Sequence, residues 1–255
     1  MAIKKLSALI IAKDEEENIK DCLESVKWAD EMVVVIDDRT QDKTAQIARK
    51  HTNKVFTHKF KNFGQQCQFA LDKVSGDWVL KLDVDERVTP ELKREILEKI
   101  QSPKFDAYHA YFRPVFLGKE FRKSNVRIQG TIRLFRREKG TFLPVGIHEK
   151  LTLTGGKVGV LDNEILHLSH RTISQTMEKF NRFSTLEAEA LYKAGGRTNN
   201  LYMGVAPLRI FLKWFFRERY FLEGIYGFVY AFLYAYYYLL KHLKIWELTE
   251  AEKKK

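Results

Sequence analysis

Two carboxylates, one residue apart, end a strongly apolar segment in the first third of the chain. Residues 76–86 read Gly-Asp-Trp-Val-Leu-Lys-Leu-Asp-Val-Asp-Glu, which places Asp83 and Asp85 after the apolar run. Because side chains alternate along a strand, Asp83 and Asp85 would point to the same face. Two such carboxylates repel each other unless a cation lies between them, and a hard divalent ion prefers oxygen ligands. The segment predicts a metal site or, alternatively, a solvated acidic turn before a helix at Pro90.

Apolar runs and amphipathic stretches alternate through the first 85 residues. The expected strands are residues 7–12, 32–36, 54–58 and 77–82, with helices between them. This alternation indicates a doubly wound α/β fold with a parallel sheet, in which the carboxyl ends of the strands form the ligand-binding edge. Asp37 ends the second strand and is therefore expected at the same edge as Asp83 and Asp85. That coincidence favours the metal site over the solvated turn.

The ordered motifs of the chain resemble those of the inverting glycosyltransferases of family 2, which have the nucleotide-sugar-binding fold called GT-A. The matching segments are Ser7–Glu15, Val33–Asp37 with Thr40, Asp42 and Thr44, Gly76–Glu86, Arg133–Arg137 and Val145–Glu149. Within this family the chain is most similar to bacterial enzymes that add glucose to the heptose of the lipopolysaccharide inner core. The resemblance implies a GT-A catalytic domain over residues 1–170, with a Rossmann-like, mostly parallel sheet, and a helical C-terminal region over residues 171–255.

The resemblance also implies which residues bind the donor. Asp37 would accept a hydrogen bond from a uracil ring, and Ala12, Glu15 and Gln65 would line the nucleotide-sugar pocket. Asp83 would contact the ribose or the metal.

A divalent cation is the cofactor that the resemblance implies. Asp85, with Asp83, would bind the Mg²⁺ or Mn²⁺ that bridges the donor diphosphate. Sugar transfer releases a diphosphate whose growing negative charge needs a metal or a cationic clamp, which agrees with this role.

The acceptor side of the reaction falls in the middle of the chain. Glu149 would be the general base that takes the proton from the acceptor hydroxyl, and His148 and His167 would lie near the diphosphate or the acceptor. Inversion needs one such carboxylate opposite the leaving group. Arg133 and Arg136 are interpreted either as a solvated edge or as a cationic clamp for acceptor phosphates.

The chain departs from the family pattern in three places. Cys67 and Gln68 stand where many relatives have Arg-Asn, so a cationic contact to the nucleotide is absent or comes from another residue such as Lys81. Ala12 replaces a common threonine, and Arg39 lies in a loop that usually has small residues. These departures bear on the identity of the donor more than on the type of reaction.

The composition limits the classes of partner. The chain has 255 residues and a formal net charge of +11, but its basic residues are dispersed and no nucleic-acid-binding motif is present. We therefore expect no nucleic-acid partner, and an anionic one instead: a nucleotide sugar, a phosphorylated glycan or a membrane surface. Cys22 and Cys67 are too few for a disulfide framework, which favours reduced thiols in the cytoplasm.

Aromatic and basic residues interleave from Leu208 onward, and residues 224–240 carry no charge. Tyr226, Tyr230 and Tyr234 recur at helical spacing. Because tyrosine and basic residues favour the membrane interface, we expect a peripheral anchor on the inner face of the cytoplasmic membrane. The alternatives are a helix packed in the protein core and self-association into a homo-oligomer.

The leading functional hypothesis is a metal-dependent inverting glycosyltransferase that moves a hexose, glucose from UDP-glucose, to a glycan or glycolipid such as lipopolysaccharide core. A nucleotidyltransferase would need a Gly-rich phosphate loop after the first strand, and Lys13–Glu16 is not one. A degenerate protein that binds a nucleotide sugar or a membrane without turnover is the remaining alternative. The presence of Asp83, Asp85 and Glu149 argues against it.

Overall fold

A computed structural model describes residues 4–125, 128–144 and 150–253. The chain forms two compact units. The first, here called the sheet unit, comprises Met1–Phe112 and Arg127–His167, and the second, the helical unit, comprises Arg113–Val126 and Leu168–Lys255. The catalytic-domain boundary expected at residue 170 stays a prediction.

Strands and helices alternate in the first part of the chain, as the apolar periodicity predicts. The strands are β1 (Leu6–Ala12), β2 (Glu31–Asp37), β3 (Val55–His58), β4 (Trp78–Asp83), β5 (Glu86–Arg87), β6 (Ala107–Phe116), β7 (Lys119–Glu120), β8 (Ile128–Arg136), β9 (Gly140–Leu143), β10 (Lys150–Leu153), β11 (Val158–Val160) and β12 (Ile165–His170). The helices are α1 (Ile19–Val26), α2 (Thr44–Ala48), α3 (Phe63–Leu71), α4 (Pro90–Gln101), α5 (Ile173–Lys193), α6 (Asn200–Leu212) and α7 (Ile225–Lys253).

Strands β3, β2, β1 and β4 are parallel and form one side of a larger sheet with the order β3-β2-β1-β4-β8-β6-β12-β5. Strand β8 runs antiparallel to both β4 and β6. The register pairs Ala12 with Ile36 and Ile11 with Asp83, so β1, β2 and β4 end at one edge. The predicted α/β fold and the shared edge are confirmed.

Alternation along β4 divides the apolar core of the sheet unit. Trp78, Leu80 and Leu82 belong to a cluster that includes α1 and α4, whereas Val79 packs with Cys67 of α3 on the other face. Cys22 and Cys67 are both free and buried. Each face of the sheet is therefore covered by helices, which explains why β4 reads as a continuous apolar run.

The helical unit has an aromatic core. His170 lies among Phe116, Phe180 and Tyr230, with ring centroids 5.3–6.3 Å from its own. Tyr230 also packs against Tyr234 at 4.8 Å. The packing of these two tyrosines agrees with the alternative of a helix packed in the protein core. Within the described ranges, no helix has the length and hydrophobicity needed to cross a bilayer.

Gly64 allows α3 to approach the β9–β10 hairpin, because a Cβ at this position would lie 1.9 Å from the Leu143 carbonyl oxygen. We expect Gly64→Ala to destabilise the protein by roughly 1–3 kcal/mol, the usual cost of overpacking. Gly204→Ala is the matched control, since this α6 glycine has nothing within 4 Å of such a Cβ and alanine favours helix. Urea denaturation measures both, and equal midpoints for the two variants would contradict the close approach.

Candidate active site

Two loops are joined at the carboxyl ends of β1 and β2. The Glu15 N–H donates to Thr44 Oγ1 at 2.7 Å, and the Glu16 N–H donates to Asp42 Oδ2 at 2.8 Å. Asp14, in the left-handed region with φ of 51°, accepts from the Gln41 N–H at 2.8 Å. These bonds fix the loops on either side of the position where Ala12 and Asp37 end their strands.

Asp37 is buried and is held by Arg39. The guanidinium donates Nε to Asp37 Oδ1 at 2.9 Å and NH2 to Oδ2 at 2.6 Å, and the Arg39 N–H also donates to Oδ1 at 2.9 Å. These hydrogen bonds are the main reason that the pKa of Asp37 lies below its usual value. The Arg39 guanidinium lies over the Phe60 ring, 4.5 Å from its centroid. The edge of the sheet thus presents an ionised carboxylate beside a fixed guanidinium.

Four charged side chains meet at the end of β4. Lys81 Nζ donates to Asp83 Oδ1 at 2.7 Å, and Arg133 NH2 of β8 donates to Asp83 Oδ2 at 2.8 Å and to Glu86 Oε1 at 2.6 Å. Glu86 also accepts from the Asp83 N–H at 3.0 Å. Lys81, Arg133 and Glu86 are buried. We call these four residues the charge network.

Burial and charge act against each other within the charge network. Burial raises the pKa of Asp83, but the charges of Arg133 and Lys81 outweigh it, so the pKa lies well below its usual value. Burial raises the pKa of Glu86 above its usual value, with Arg133 opposing the shift. The charges of Arg133 and Lys81 therefore favour the carboxylate form of Asp83.

Asp85 lies outside this network. Strand β4 ends at Asp83, so Asp85 falls in the turn that follows and does not share a strand face with Asp83 as the alternation predicts. Its Oδ2 is 3.3 Å from His167 Nε2, and Glu86, which follows it, pairs with His167 across β5 and β12. The structure thus brings the predicted site residues Asp85 and His167 together.

Arg133 and Arg136 are not a solvated edge. Arg133 is occupied by the charge network, and Arg136 forms an ion pair with Asp106 at 3.0 Å and lies over the Trp78 ring at 5.2 Å. Both guanidinium groups are thus held by contacts inside the sheet unit.

Two further predicted site residues lie near this edge, and two are outside the described residues. Glu15 is half-buried and accepts from Asn18 Nδ2 at 2.7 Å. Gln65 lies in the first turn of α3, where its N–H is capped by Asn62 Oδ1 at 2.9 Å. His148 and Glu149 lie outside the described residues. The departure at Gln68 has a structural use, because its Oε1 accepts from the Phe142 N–H at 2.9 Å.

The donor set suits a metal that takes most of its ligands from a substrate. Among residues 4–125, 128–144 and 150–253, no group of three or more His, Cys, Asp or Glu could hold a metal ion. Both oxygens of Asp83 already accept from cations, and Asp85 follows in the turn after β4. Mg²⁺ commonly binds through one or two carboxylates together with substrate phosphates, so Asp85 fits such an ion.

Glu86 is a charged residue at this edge that the sequence analysis did not place in the site, and Lys81 was named only as a substitute for a cationic contact to the nucleotide. A lysine within the apolar run Trp-Val-Leu-Lys-Leu was the available signal, because a buried lysine requires a carboxylate partner. Glu86 gave no comparable signal, since it follows two other acids in the sequence.

The chain is similar to several known proteins. An uncharacterized glycosyltransferase of Rickettsia typhi, RT0209, is 30% identical over 97% of this chain and 88% of its own length. The lipopolysaccharide core biosynthesis glycosyltransferase LpsC of Rhizobium meliloti is 29% identical over 95% of this chain and 92% of its own. Among solved structures, S. aureus TarS 1-349 in complex with UDP-GlcNAc is similar with a TM-score of 0.48 and 18% identity, over 73% of this chain and 66% of that chain.

Residues 7–156 match the family described as Glycosyl transferase family 2. This range contains most of β1, the charge network, Asp37 and Asp85. The expectation of a glycosyltransferase with an α/β fold of the GT-A type is confirmed, and the chain belongs to glycosyl transferase family 2.

Proposed function

We propose that the protein transfers a hexose, glucose from UDP-glucose, with inversion to a glycan or glycolipid acceptor such as lipopolysaccharide core. The observation that carries this proposal is the common edge of β1, β2 and β4, where Asp37 ends β2, Asp83 ends β4 and Asp85 follows in the next turn. The similarity to LpsC, which is named for lipopolysaccharide core biosynthesis, supports the acceptor class.

The Asp37–Arg39 pair supports a donor nucleotide whose base is uracil. Uracil presents an N3–H donor between two carbonyl acceptors, and the pair presents a carboxylate acceptor beside guanidinium donors. A carboxylate oxygen has two lone pairs, so Asp37 Oδ2 can accept from N3–H while it retains Arg39. With N3 of the base toward Asp37, cytosine would present a lone pair there, and only its N4 amino group could donate to a carboxylate. In that orientation of the base, the pair favours uracil over cytosine.

The end of β4 supports the transfer step. A divalent cation bound by Asp85 would neutralise the diphosphate as it leaves the sugar. Asp83, oriented by Lys81 and Arg133, is proposed to contact the ribose. His167, next to Asp85, is proposed to donate to the diphosphate or the acceptor.

Glu149 is proposed as the general base, because transfer with inversion needs one carboxylate within reach of the acceptor hydroxyl. His148 is proposed to lie near the diphosphate or the acceptor. Ala12, Glu15 and Gln65 are proposed to line the donor pocket, in line with their places near the ends of β1 and the start of α3.

The helical unit supports peripheral binding to the inner face of the cytoplasmic membrane. An exposed apolar stripe runs along α6 and the turn of π-helix after it, with exposed cations beside it. The stripe comprises Leu201, Val205, Leu208, Leu212 and Phe216, and the cations are Arg209, Lys213 and Arg217. Apolar side chains bordered by cations match an anionic lipid surface. We call these eight residues the docking face.

Two variants separate donor binding from transfer. Asp85→Asn should weaken Mn²⁺-dependent UDP binding at least about tenfold, the lower end of the loss for residues that support a metal site. Glu149→Gln should keep UDP binding but reduce transfer by roughly 10²–10⁴-fold, as expected for a general base. Calorimetry with UDP and Mn²⁺, together with glucose transfer to glycolipid extracts, measures both effects.

Glu98→Gln is the control for these variants, since Glu98 is exposed near the C-terminal end of α4. Full transfer activity in Glu149→Gln would remove Glu149 as the base. UDP binding without any transfer by the wild-type protein would favour the degenerate, binding-only alternative.

Arg39→Ala tests whether Arg39 contributes to recognition of the uracil base. We expect UDP affinity to fall about tenfold, since a hydrogen bond to a charged group contributes about 1.5–3 kcal/mol, and the preference for UDP over CDP to narrow. Arg49→Ala, which changes an exposed arginine after α2, is the control. Titration of each variant with UDP and CDP in Mn²⁺ gives the two affinities. An unchanged UDP-to-CDP ratio would show that Arg39 does not read the base.

The double variant Arg209→Glu/Lys213→Glu tests the docking face. Each basic residue near an anionic surface contributes about 1 kcal/mol, so we expect binding to phosphatidylglycerol-containing vesicles to fall at least about 30-fold. Lys104→Glu/Lys157→Glu is the matched control, because these exposed lysines belong to the sheet unit. Co-sedimentation measures vesicle binding. Concentration-dependent dimers with no vesicle binding by the wild type would show that the face mediates self-association instead.

A further inference from the structure

A small cavity lies in the sheet unit beside the charge network. It has a volume of about 230 Å³, and its polar lining comes from Lys81, His109, Thr131 and Lys150, with Ile132 and Phe142 as apolar walls. This volume is below the roughly 300–1,000 Å³ of pockets that enclose a drug-sized ligand. The cavity therefore suits a single sugar unit and not a complete nucleotide sugar.

An irregular strand pairing lies beside His109, which lines this cavity. The register between β6 and β8 shifts on both sides of His109. Gly130 of β8 permits the local approach, since a Cβ there would lie 1.9 Å from the Ala110 carbonyl oxygen. Irregularities of this kind redirect side chains and occur often next to active sites.

His109 has an unsatisfied polar atom. Its Nδ1 is buried and has no hydrogen-bond partner in the described part of the chain. Buried polar atoms nearly always have a partner, so this nitrogen calls for a group that the described residues do not supply. A ligand oxygen in the cavity would provide one.

The lining of the cavity is cationic. Lys81 and Lys150 both contribute to it, and none of its described lining residues is an acid. Lys150 is exposed, and within residues 4–125, 128–144 and 150–253 no ion pair engages it. Lys81 is 2.7 Å from Asp83, so the cavity adjoins the proposed donor site. In the sequence, Lys150 directly follows Glu149, the proposed general base.

We infer that this cavity binds an anionic sugar unit of the acceptor, one that carries a phosphate or a carboxylate group. This inference rests on the proposed transfer reaction and names the chemistry of its acceptor. Lys150 and His109 bind the anionic group, and the apolar wall at Phe142 contacts the ring. The acceptor class is thereby restricted to charged glycans.

Calorimetry in the presence of UDP and Mn²⁺ tests the inference with glucose 6-phosphate, glucuronate and glucose as probes. We expect the wild type to bind at least one anionic sugar at least about tenfold more tightly than glucose, and the tighter of the two identifies the group. Lys150→Glu should weaken binding of that sugar by at least about tenfold, since it reverses a charge-assisted contact. His109→Phe should also weaken it. UDP binding should be unchanged in both variants.

Lys157→Glu is the matched control, because it reverses the charge of an exposed lysine outside the cavity lining. The inference is overturned if the wild type binds glucose as tightly as the anionic sugars, if it binds none of the three, or if Lys150→Glu retains wild-type affinity. A wild-type protein that fails to bind UDP with Mn²⁺ would overturn the proposed function itself. The UDP titration therefore distinguishes the two failures.

Discussion

The charge network at the end of β4 is the interaction on which the candidate site depends. Two cations and two carboxyl groups are enclosed in a sheet whose neighbouring positions are apolar. Removing an ammonium and a guanidinium from water costs several kcal/mol per ion, and only close, hydrogen-bonded partners compensate for it. Arg133 meets this condition by binding Asp83 and Glu86 with one nitrogen, at 2.8 and 2.6 Å. The network thereby fixes Asp83, and Asp85 follows in the turn after β4.

The sequence was sufficient to predict the shared edge of the sheet. Apolar periodicity located β1, β2 and β4, and the geometry of parallel strands then brought Asp37 and Asp83 to the same side. The strand alternation was wrong for Asp85, because β4 ends at Asp83 and the chain turns. Local periodicity carries no information about where a strand ends within a run of acids.

Contacts between distant residues could not be predicted from the sequence. Arg133 reaches Asp83 only because β8, fifty positions later, pairs antiparallel with β4. The irregular pairing at His109 likewise depends on Gly130 of another strand. Such partners are set by tertiary pairing, which propensity and spacing do not encode. The roles of His148 and Glu149 continue to rest on the family resemblance.

Under the proposed function, the strand order would allow one edge of the sheet to serve donor and acceptor together. Along the sheet, β2 carries the Asp37–Arg39 pair, β4 lies two strands further on, and β6, with His109, lies two strands beyond β4. Neighbouring strands are about 4.8 Å apart, so each of these steps is roughly 10 Å. A nucleotide sugar extended along the edge would place its base at β2 and its diphosphate at β4. Its sugar would then face the side of β4 where the cationic cavity lies. An acceptor held there would approach the anomeric carbon from the side away from the diphosphate, which is the geometry that inversion requires.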